Sequence, residues 1–210
     1  MKNQSFSLIL LALSFIFAVS FSACEDENDT NDNDDDFTEW EPYDLKANTA
    51  YDYDFEFTEG DEETSGGSVS IAIGDPEVEV SWNVGDQTYE NTYDSGDNIE
   101  DNFIGAISQT PLAGFLYQPL WFGAFSGQEI KTGASWSYSA QDSSIEFEVT
   151  GTDTYAGEEG YVVMAVFEDE SGATATWETC VSSDVPLPLM TSVTDEDDDH
   201  YFIELTNYEE

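Results

Sequence analysis

The feature that most constrains the fold is a strict alternation of aromatic and acidic side chains. Between residues 51 and 57 the chain reads YDYDFEF, so four aromatic residues alternate with three carboxylic acids. Successive side chains of a β-strand point to opposite faces, which places the aromatic rings on one face and the acids on the other. The run therefore predicts a strand with one buried face and one wet, acidic face.

The same period of two recurs along the rest of the chain. Alternating runs lie at residues 69–73, 78–84, 136–138, 145–149, 173–177 and 201–205, and residues 161–167 form a continuous apolar run. Clusters of Gly, Asp and Ser separate these runs, as expected of antiparallel hairpins. With 40% hydrophobic residues the chain can bury a core, and we expect one mainly β domain over residues 39–210.

One stretch interrupts this pattern, because residues 102–128 contain no charged residue. Its beginning predicts a short helix: Asn98 can cap it, Glu100 and Asp101 suit its first turn, and Pro111 stops it. A second short helical turn is expected before Gly127. Three interpretations stay open: a lid or plug over an apolar cavity, a surface that meets lipid, or a segment packed as ordinary core into the concave side of the sheet.

The charge of the chain excludes several classes of site. It has 47 Asp plus Glu against 3 Lys and no Arg, which gives a net charge of -44. Nucleic-acid grooves, phosphate clamps and zinc cages need basic, His or Cys side chains that this chain lacks. The acids are spread through every segment after Cys24, whereas a calcium-buffering protein concentrates them in tracts. This distribution indicates an extreme halophile, in which molar salt shortens the screening length from about 10 Å to about 3 Å.

The N-terminus predicts export. Residues 1–23 combine Lys2 with the apolar run FSLILLALSFIFAVSF, which is typical of a signal peptide. The following FSAC resembles a lipobox, which makes Cys24 the lipidated first residue of the mature protein. Residues 24–38 are then expected to form an acidic, disordered tether. A plain signal peptide cleaved near Ala23 and an uncleaved anchor helix are the alternatives. We expect a protein lipid-anchored at the outer face of the cell membrane or in the cell envelope.

The C-terminal third carries a resemblance to known families. The motifs are GASWSY at 133–138, VTGTDTYAG at 149–157, GYVV at 160–163, Trp177 before VPLPL at 185–189, and IELT at 203–206. Their order and spacing resemble exported proteins of the LolA/LppX-type lipoprotein-carrier fold and the DUF3108-like family. The resemblance implies a curved antiparallel sheet, or half-barrel, with one or two short helices packed on its concave face. In those carriers the concave face holds acyl chains.

This architecture defines a hypothetical site for an apolar, lipid-like ligand. It consists of strand residues that share the apolar face and of residues in the uncharged stretch that fill or gate it: Tyr53, Phe55, Trp82 and Trp136, with Phe115, Leu116, Trp121 and Phe122. An inert structural or interaction module of the cell envelope is the competing interpretation.

Catalysis has little support in the sequence. His200 is the only imidazole, Cys180 has no basic neighbour, and Glu129 is the one acid that we would test in a cryptic hydrolase. We expect no enzymatic activity, no cofactor, no metal site and no nucleic-acid partner. We also expect a monomer that meets the membrane through its lipid anchor.

Overall fold

The computed structural model describes residues 45–58, 60, 64–95, 98–108, 110, 125, 127–140, 143–168, 172–195 and 199–210. The signal peptide, Cys24 and the acidic tether lie outside these residues and stay predictions, as do Phe115, Leu116, Trp121 and Phe122. Within the described part of the chain, no helix has the length and apolarity needed to cross a membrane.

The described elements are ten strands and one helix. In chain order they are β1 (Thr49–Thr58), β2 (Ser65–Ile73), β3 (Val78–Val84), β4 (Gln87–Tyr93), α1 (Ile99–Ile107), β5 (Ser135–Ala140), β6 (Ser143–Tyr155), β7 (Glu158–Glu168), β8 (Thr174–Val181), β9 (Met190–Thr194) and β10 (His200–Glu209).

All ten strands form a single open sheet in the order β4-β3-β2-β1-β10-β9-β8-β7-β6-β5. Every neighbouring pair is antiparallel, and β1 pairs with β10. Strands β4 and β5, which are consecutive along the chain, therefore lie at opposite edges of the sheet. The predicted mainly β fold, a curved antiparallel half-barrel with a short helix, is confirmed.

One face of this sheet is continuous and apolar. Residues directly opposite on neighbouring strands point to the same side, and one such row crosses seven strands: Trp136, Phe147, Ala165, Trp177, Val193, Tyr201 and Phe57. We call this side the concave face. The carboxylates of β1 point to the other side, the convex face, where Asp54 and Glu56 are exposed.

The core consists of two clusters, which lie mainly on the concave face; Cys180 and Met190 of the first cluster lie on the convex side, in the row of Glu204. The first cluster joins β1–β3 and α1 to the β8–β9 connection, and includes Tyr51, Tyr53, Ile71, Phe103 and Leu187. The second cluster covers β5–β8, with Phe147, Val163 and Trp177 beneath Phe125. Burial of such side chains stabilises the fold by about 1.5–3 kcal/mol each.

Helix α1 begins where the sequence predicts and ends before Pro111. The Asn98 side chain caps it by accepting the Glu100 N–H at 2.8 Å, and the Ser108 N–H closes its last turn on the Ile104 carbonyl at 3.0 Å. Phe103 and Ile107 lie in the first cluster. The second helical turn predicted before Gly127 falls outside the described residues.

A buried amide holds α1 to the sheet. Asn102 is completely buried, its Nδ2 donates to the Pro76 carbonyl at 2.8 Å, and its Oδ1 accepts the Ser95 N–H at 3.1 Å. The helix also approaches β4 closely, because a Cβ at Gly105 would collide with the ring of Tyr93. These contacts fix α1 at the β3–β4 end of the concave face.

Candidate functional site

A strip of half-buried aromatic rings lies between the two clusters. It comprises Phe55 and Phe57 on β1 and Tyr201 on β10, and we call it the aromatic strip. The rings of Phe57 and Tyr201 lie 4.8 Å apart at 38°. Phe55 packs against the first cluster and Tyr201 against the second. The strip thus places three half-buried rings on the concave face between the two clusters.

The backbone of β2 makes room for the strip. Gly67 lies directly opposite Phe55, and a Cβ at position 67 would come within 2.7 Å of the tip of the Phe55 ring. The same Cβ would collide with the Asn83 carbonyl oxygen on β3. A side chain at this position would therefore displace the ring, so glycine is what lets Phe55 lie over β2.

A second aromatic group lies near the β5 edge. Trp136 stacks on Phe147, with centroids 5.1 Å apart, and Phe125 meets Trp136 edge-on at 5.7 Å. The indole N–H of Trp136 and that of Trp177 are both buried and have no hydrogen-bond acceptor in the described structure. A buried donor without an acceptor costs about 1–3 kcal/mol. Both donors belong to the same row of the concave face.

The strand residues predicted for the ligand site share the concave face but do not form one patch. Tyr53 is 1% exposed, belongs to the first cluster, and donates its hydroxyl to the Pro188 carbonyl at 2.9 Å. Trp82 stacks on Tyr89 at 5.2 Å near the β4 edge, whereas Trp136 lies near the β5 edge. Phe55 alone among them belongs to the aromatic strip. Their role in ligand binding stays a prediction.

Sequence reasoning missed the β8–β9 connection as a part of the core. Val185, Leu187 and Leu189 are all buried in the first cluster beside Tyr53. Leu189 donates its N–H to the Cys180 carbonyl and accepts the Leu205 N–H, each at 2.8 Å. The alternating V-P-L-P-L pattern at 185–189 is the sequence signal that corresponds to this burial.

The convex face is strongly acidic and almost without cations. Asp54 and Glu204 lie directly opposite each other on β1 and β10. The two described lysines are both engaged, Lys46 with Glu210 and Lys131 with Glu129, at 2.6 Å in each case. Exposed pairs of this kind stabilise a protein by less than about 1 kcal/mol. They do not offset the acidity of the surface.

None of the residues considered for catalysis lies in a recognisable catalytic arrangement. His200 Nε2 lies 3.0 Å from Ser192 Oγ, but the neighbouring Asp199 accepts the Gly60 N–H instead of orienting the imidazole. Glu129 is engaged by Lys131. Burial, followed by the charge of Asp153, raises the pKa of the Cys180 thiol to about 12, which disfavours the reactive thiolate.

Metal binding has no support in the described residues, which contain no group of three or more His, Cys, Asp or Glu side chains able to hold an ion. An open hollow of about 420 Å³ lies on the convex side of β5–β7, between Glu146, Glu148 and Met164. It is separate from the aromatic strip, which lies on the opposite face of the sheet.

No protein-family model matches the chain, and no curated protein is similar to it in sequence. Among solved structures, it is similar to a chain of the Pseudomonas aeruginosa MucA/MucB complex, with a TM-score of 0.42, 14% identity, and 77% of this chain and 51% of that chain covered. It thus spans about half the length of that protein.

An exported protein with a YmcC-like fold from Bacteroides fragilis gives a TM-score of 0.36 at 8% identity, covering 79% of this chain and 97% of the other. An outer membrane lipoprotein-sorting protein domain from Vibrio parahaemolyticus gives 0.30 at 8% identity, covering 78% and 85%. Because the identities and TM-scores are this low, the fold assignment rests on the strand ladder itself.

Proposed function

We propose that this chain is an exported, lipid-anchored protein of an extreme halophile that binds an apolar ligand on the concave face of its half-barrel. The observation that carries the proposal is the aromatic strip. Its three rings share the concave face and are half-buried between two clusters of buried residues. Apolar sites in proteins are concave and lined by aromatic side chains with few polar groups.

The indole donors support a ligand that has an acceptor oxygen. Trp136 and Trp177 point buried N–H groups into the concave side without a described acceptor. The two donors lie three strands apart, on β5 and β8, so a carboxyl or ester oxygen would supply an acceptor to one of them while the acyl chain would lie along rings such as Phe57 and Tyr201. A fatty acid or acyl ester fits this chemistry better than a pure hydrocarbon.

The acidic convex face supports the halophilic part of the proposal. Most of its carboxylates, such as Asp54, Glu56 and Glu146, are exposed, and the described lysines are paired with Glu129 and Glu210. At high salt such a surface stays hydrated while its repulsion is screened. The lipid anchor at Cys24 rests on the sequence alone.

An inert envelope module remains the competing function. The two clusters favour it, because Tyr53, Leu187 and Trp177 are each no more than 1% exposed. If the core were closed everywhere, no ligand would enter without unfolding part of it.

Binding of a fluorescent fatty acid in molar salt tests the proposal. We expect the mature chain with Cys24→Ser to bind it and Tyr201→Ala to weaken binding by about two- to tenfold, since an aromatic contact is worth about 0.5–1.5 kcal/mol. Phe202→Ala is the matched control, because Phe202 is the next residue on β10, is also half-buried, and points to the convex face. It should leave binding unchanged.

Two results would count against ligand binding. One is a wild-type chain that binds no acyl probe and releases no lipid on extraction. The other is an equal loss of binding in Tyr201→Ala and Phe202→Ala, which would indicate a general effect on stability. Either would make the inert module the better interpretation.

A further inference from the structure

Among the described residues, the edge strand β5 lacks the charged side chains and prolines that commonly prevent a sheet edge from pairing with another chain. Natural sheets guard their edges with charged side chains, prolines or very short strands. Strand β5 reads SWSYSA and contains neither a charge nor a proline. Among the described strands it pairs with β6 alone. Its Ser135, Ser137 and Ser139 are exposed.

The opposite edge is different. Strand β4 carries the exposed Glu90, and exposed acids flank it at Asp86 and Asp94. A second strand approaching β4 would meet these charges, whereas one approaching β5 would not. A second copy of this acidic chain would therefore be repelled more strongly at the β4 edge than at the β5 edge.

The neutral character of β5 extends well beyond the strand. Residues 102–141 contain one acid, Glu129, and one cation, Lys131, and these two are joined at 2.6 Å. This is a region of zero net charge in a chain whose net charge is -44. Two copies of the chain repel each other over most of their surface, but β5 belongs to this neutral region.

The hydrogen-bond pattern shows which groups face outward. The Val149 N–H donates to the Ala134 carbonyl at 2.9 Å, so the carbonyl of residue 134 faces β6. Because inward and outward backbone groups alternate in an antiparallel ladder, those of residues 136 and 138 also face β6. The N–H and C=O groups of Ser135, Ser137 and Ser139 then face away from the sheet.

We propose that β5 pairs antiparallel with β5 of a second copy about a two-fold axis at Ser137, giving a reversible dimer in high salt. This register uses the outward groups of all three serines. It also places Trp136 of one copy opposite Tyr138 of the other, and aromatic pairs of this kind favour strand pairing. The inference departs from the monomer expected from the sequence and is independent of the proposed ligand.

Repulsion between the nearest acidic strands is compatible with this dimer. The exposed Glu146 and Glu148 lie on β6, one strand in from the edge. In the dimer the two β6 strands are separated by three strand spacings, about 14 Å. That distance exceeds the screening length of about 3 Å in molar salt and approaches the length of about 10 Å at 0.1 M.

Sedimentation of the mature Cys24→Ser chain in molar potassium chloride tests the dimer. We expect a monomer–dimer equilibrium and a dissociation constant raised about tenfold or more by Ser137→Pro, which removes an outward N–H from each copy. The matched control is Thr88→Pro on β4. Thr88 follows the two-residue β3–β4 turn by one position, so its N–H also faces outward. It should leave the equilibrium unchanged.

Cysteine crosslinking tests the register and does not depend on the proline variants folding. Ser137→Cys opposes itself across the axis with Cα atoms about 5.5 Å apart, within disulfide range. Ser139→Cys is the control, since its symmetry mate is four residues out of register, about 14 Å away. With copper phenanthroline and oxygen as oxidant, Ser137→Cys should form a covalent dimer and Ser139→Cys should not.

A chain that stays monomeric at all concentrations in high salt would overturn the proposal. A neutral strand of some other protein would then be the better partner for β5. Equal crosslinking of the two cysteine variants would overturn the register and the two-fold axis. Equal weakening by Ser137→Pro and Thr88→Pro would show that β5 is not the contact.

Discussion

At the scale of single residues, the strand pairing determines which residue lies opposite each acid of the alternating strands. Asp54 and Glu204 face each other directly across β1 and β10 on the convex face. Like charges in this position destabilise a sheet. Asp52, two residues earlier on β1, instead accepts hydrogen bonds from Ser70 at 2.6 Å and Asn207 at 3.2 Å. The convex face thus combines acids that are satisfied locally with acids that depend on the solvent.

Cys180 provides a prediction at this scale. It is completely buried, and its pKa is raised to about 12. In the Cys24→Ser background we expect no rapid reaction with a thiol reagent at pH 8 in high salt, and fast reaction once denaturant unfolds the chain. The raised folded pKa favours the thiol, so its contribution to stability is complete below about pH 8.5 and is lost as pH rises toward 12.

Four tyrosines change stability with pH in the same direction as Cys180, because burial raises the pKa of each phenol: Tyr51, Tyr138, Tyr155 and Tyr208. We therefore expect the unfolding midpoint in denaturant to fall between pH 9 and pH 12. Immediate labelling of Cys180 in a chain with intact circular dichroism would contradict the burial of the thiol.

At the scale of elements, the β8–β9 connection acts as part of the core although it belongs to no strand. Leu187 is 1% exposed within the first cluster. Leu187→Ala should lower the free energy of unfolding by about 2–5 kcal/mol, through lost burial and the cavity left behind. Denaturant unfolding in molar salt measures the change. Ser183→Ala in the same connection is the control, since Ser183 is exposed and should change stability by less than about 0.5 kcal/mol.

A small effect of Leu187→Ala, equal to that of Ser183→Ala, would mean that the connection is not part of the folded core. In that case the first cluster would rest on β1–β3 and α1 alone.

The elements also show what the sequence can and cannot predict. The alternation in 51–57 predicted β1 and its two faces, because period two follows from strand geometry alone. Helix α1 was predictable from Asn98, since capping is a local interaction. The pairing of β1 with β10 and the burial of Leu187 depend on contacts between distant parts of the chain, which no local pattern specifies.

The same limit applies to the candidate site. The shared face of Tyr53, Phe55, Trp82 and Trp136 was predictable from alternation. Their separation across the sheet was not, because it depends on strand order. Phe57 and Tyr201 were visible as strand residues, but only the β1–β10 pairing brings their rings to 4.8 Å.

At the scale of the whole molecule, export and anchoring give one prediction. If Cys24 is lipidated, Cys24→Ser should release the protein from membranes into the soluble or secreted fraction without changing its fold. The residues that follow, 25–36, are EDENDTNDNDDD and contain no apolar side chain to hold the membrane. Fractionation of cells in high salt measures the change. A variant that remains in the membrane would indicate an uncleaved helix or contact by the uncharged stretch.

Dependence on salt is the property that involves every part of the molecule. With a net charge of -44, the folded chain holds its carboxylates closer together than the unfolded chain does. Lowering the salt from molar to about 0.1 M lengthens the screening distance from about 3 Å to about 10 Å, so neighbouring acids repel one another more strongly. We expect the melting temperature and the β-type circular dichroism to fall over this range.

Paired variants separate this effect from a general dependence on salt. Asp54→Asn removes one member of the Asp54–Glu204 pair and should raise the melting temperature at low salt, with little change in molar salt. Glu79→Gln removes the same charge where the opposite residues are Ala72 and Thr92, and should have the smaller effect. Unchanged spectra and melting temperature across the salt range, or equal shifts in the two variants, would count against a surface whose acidic pairs require brine.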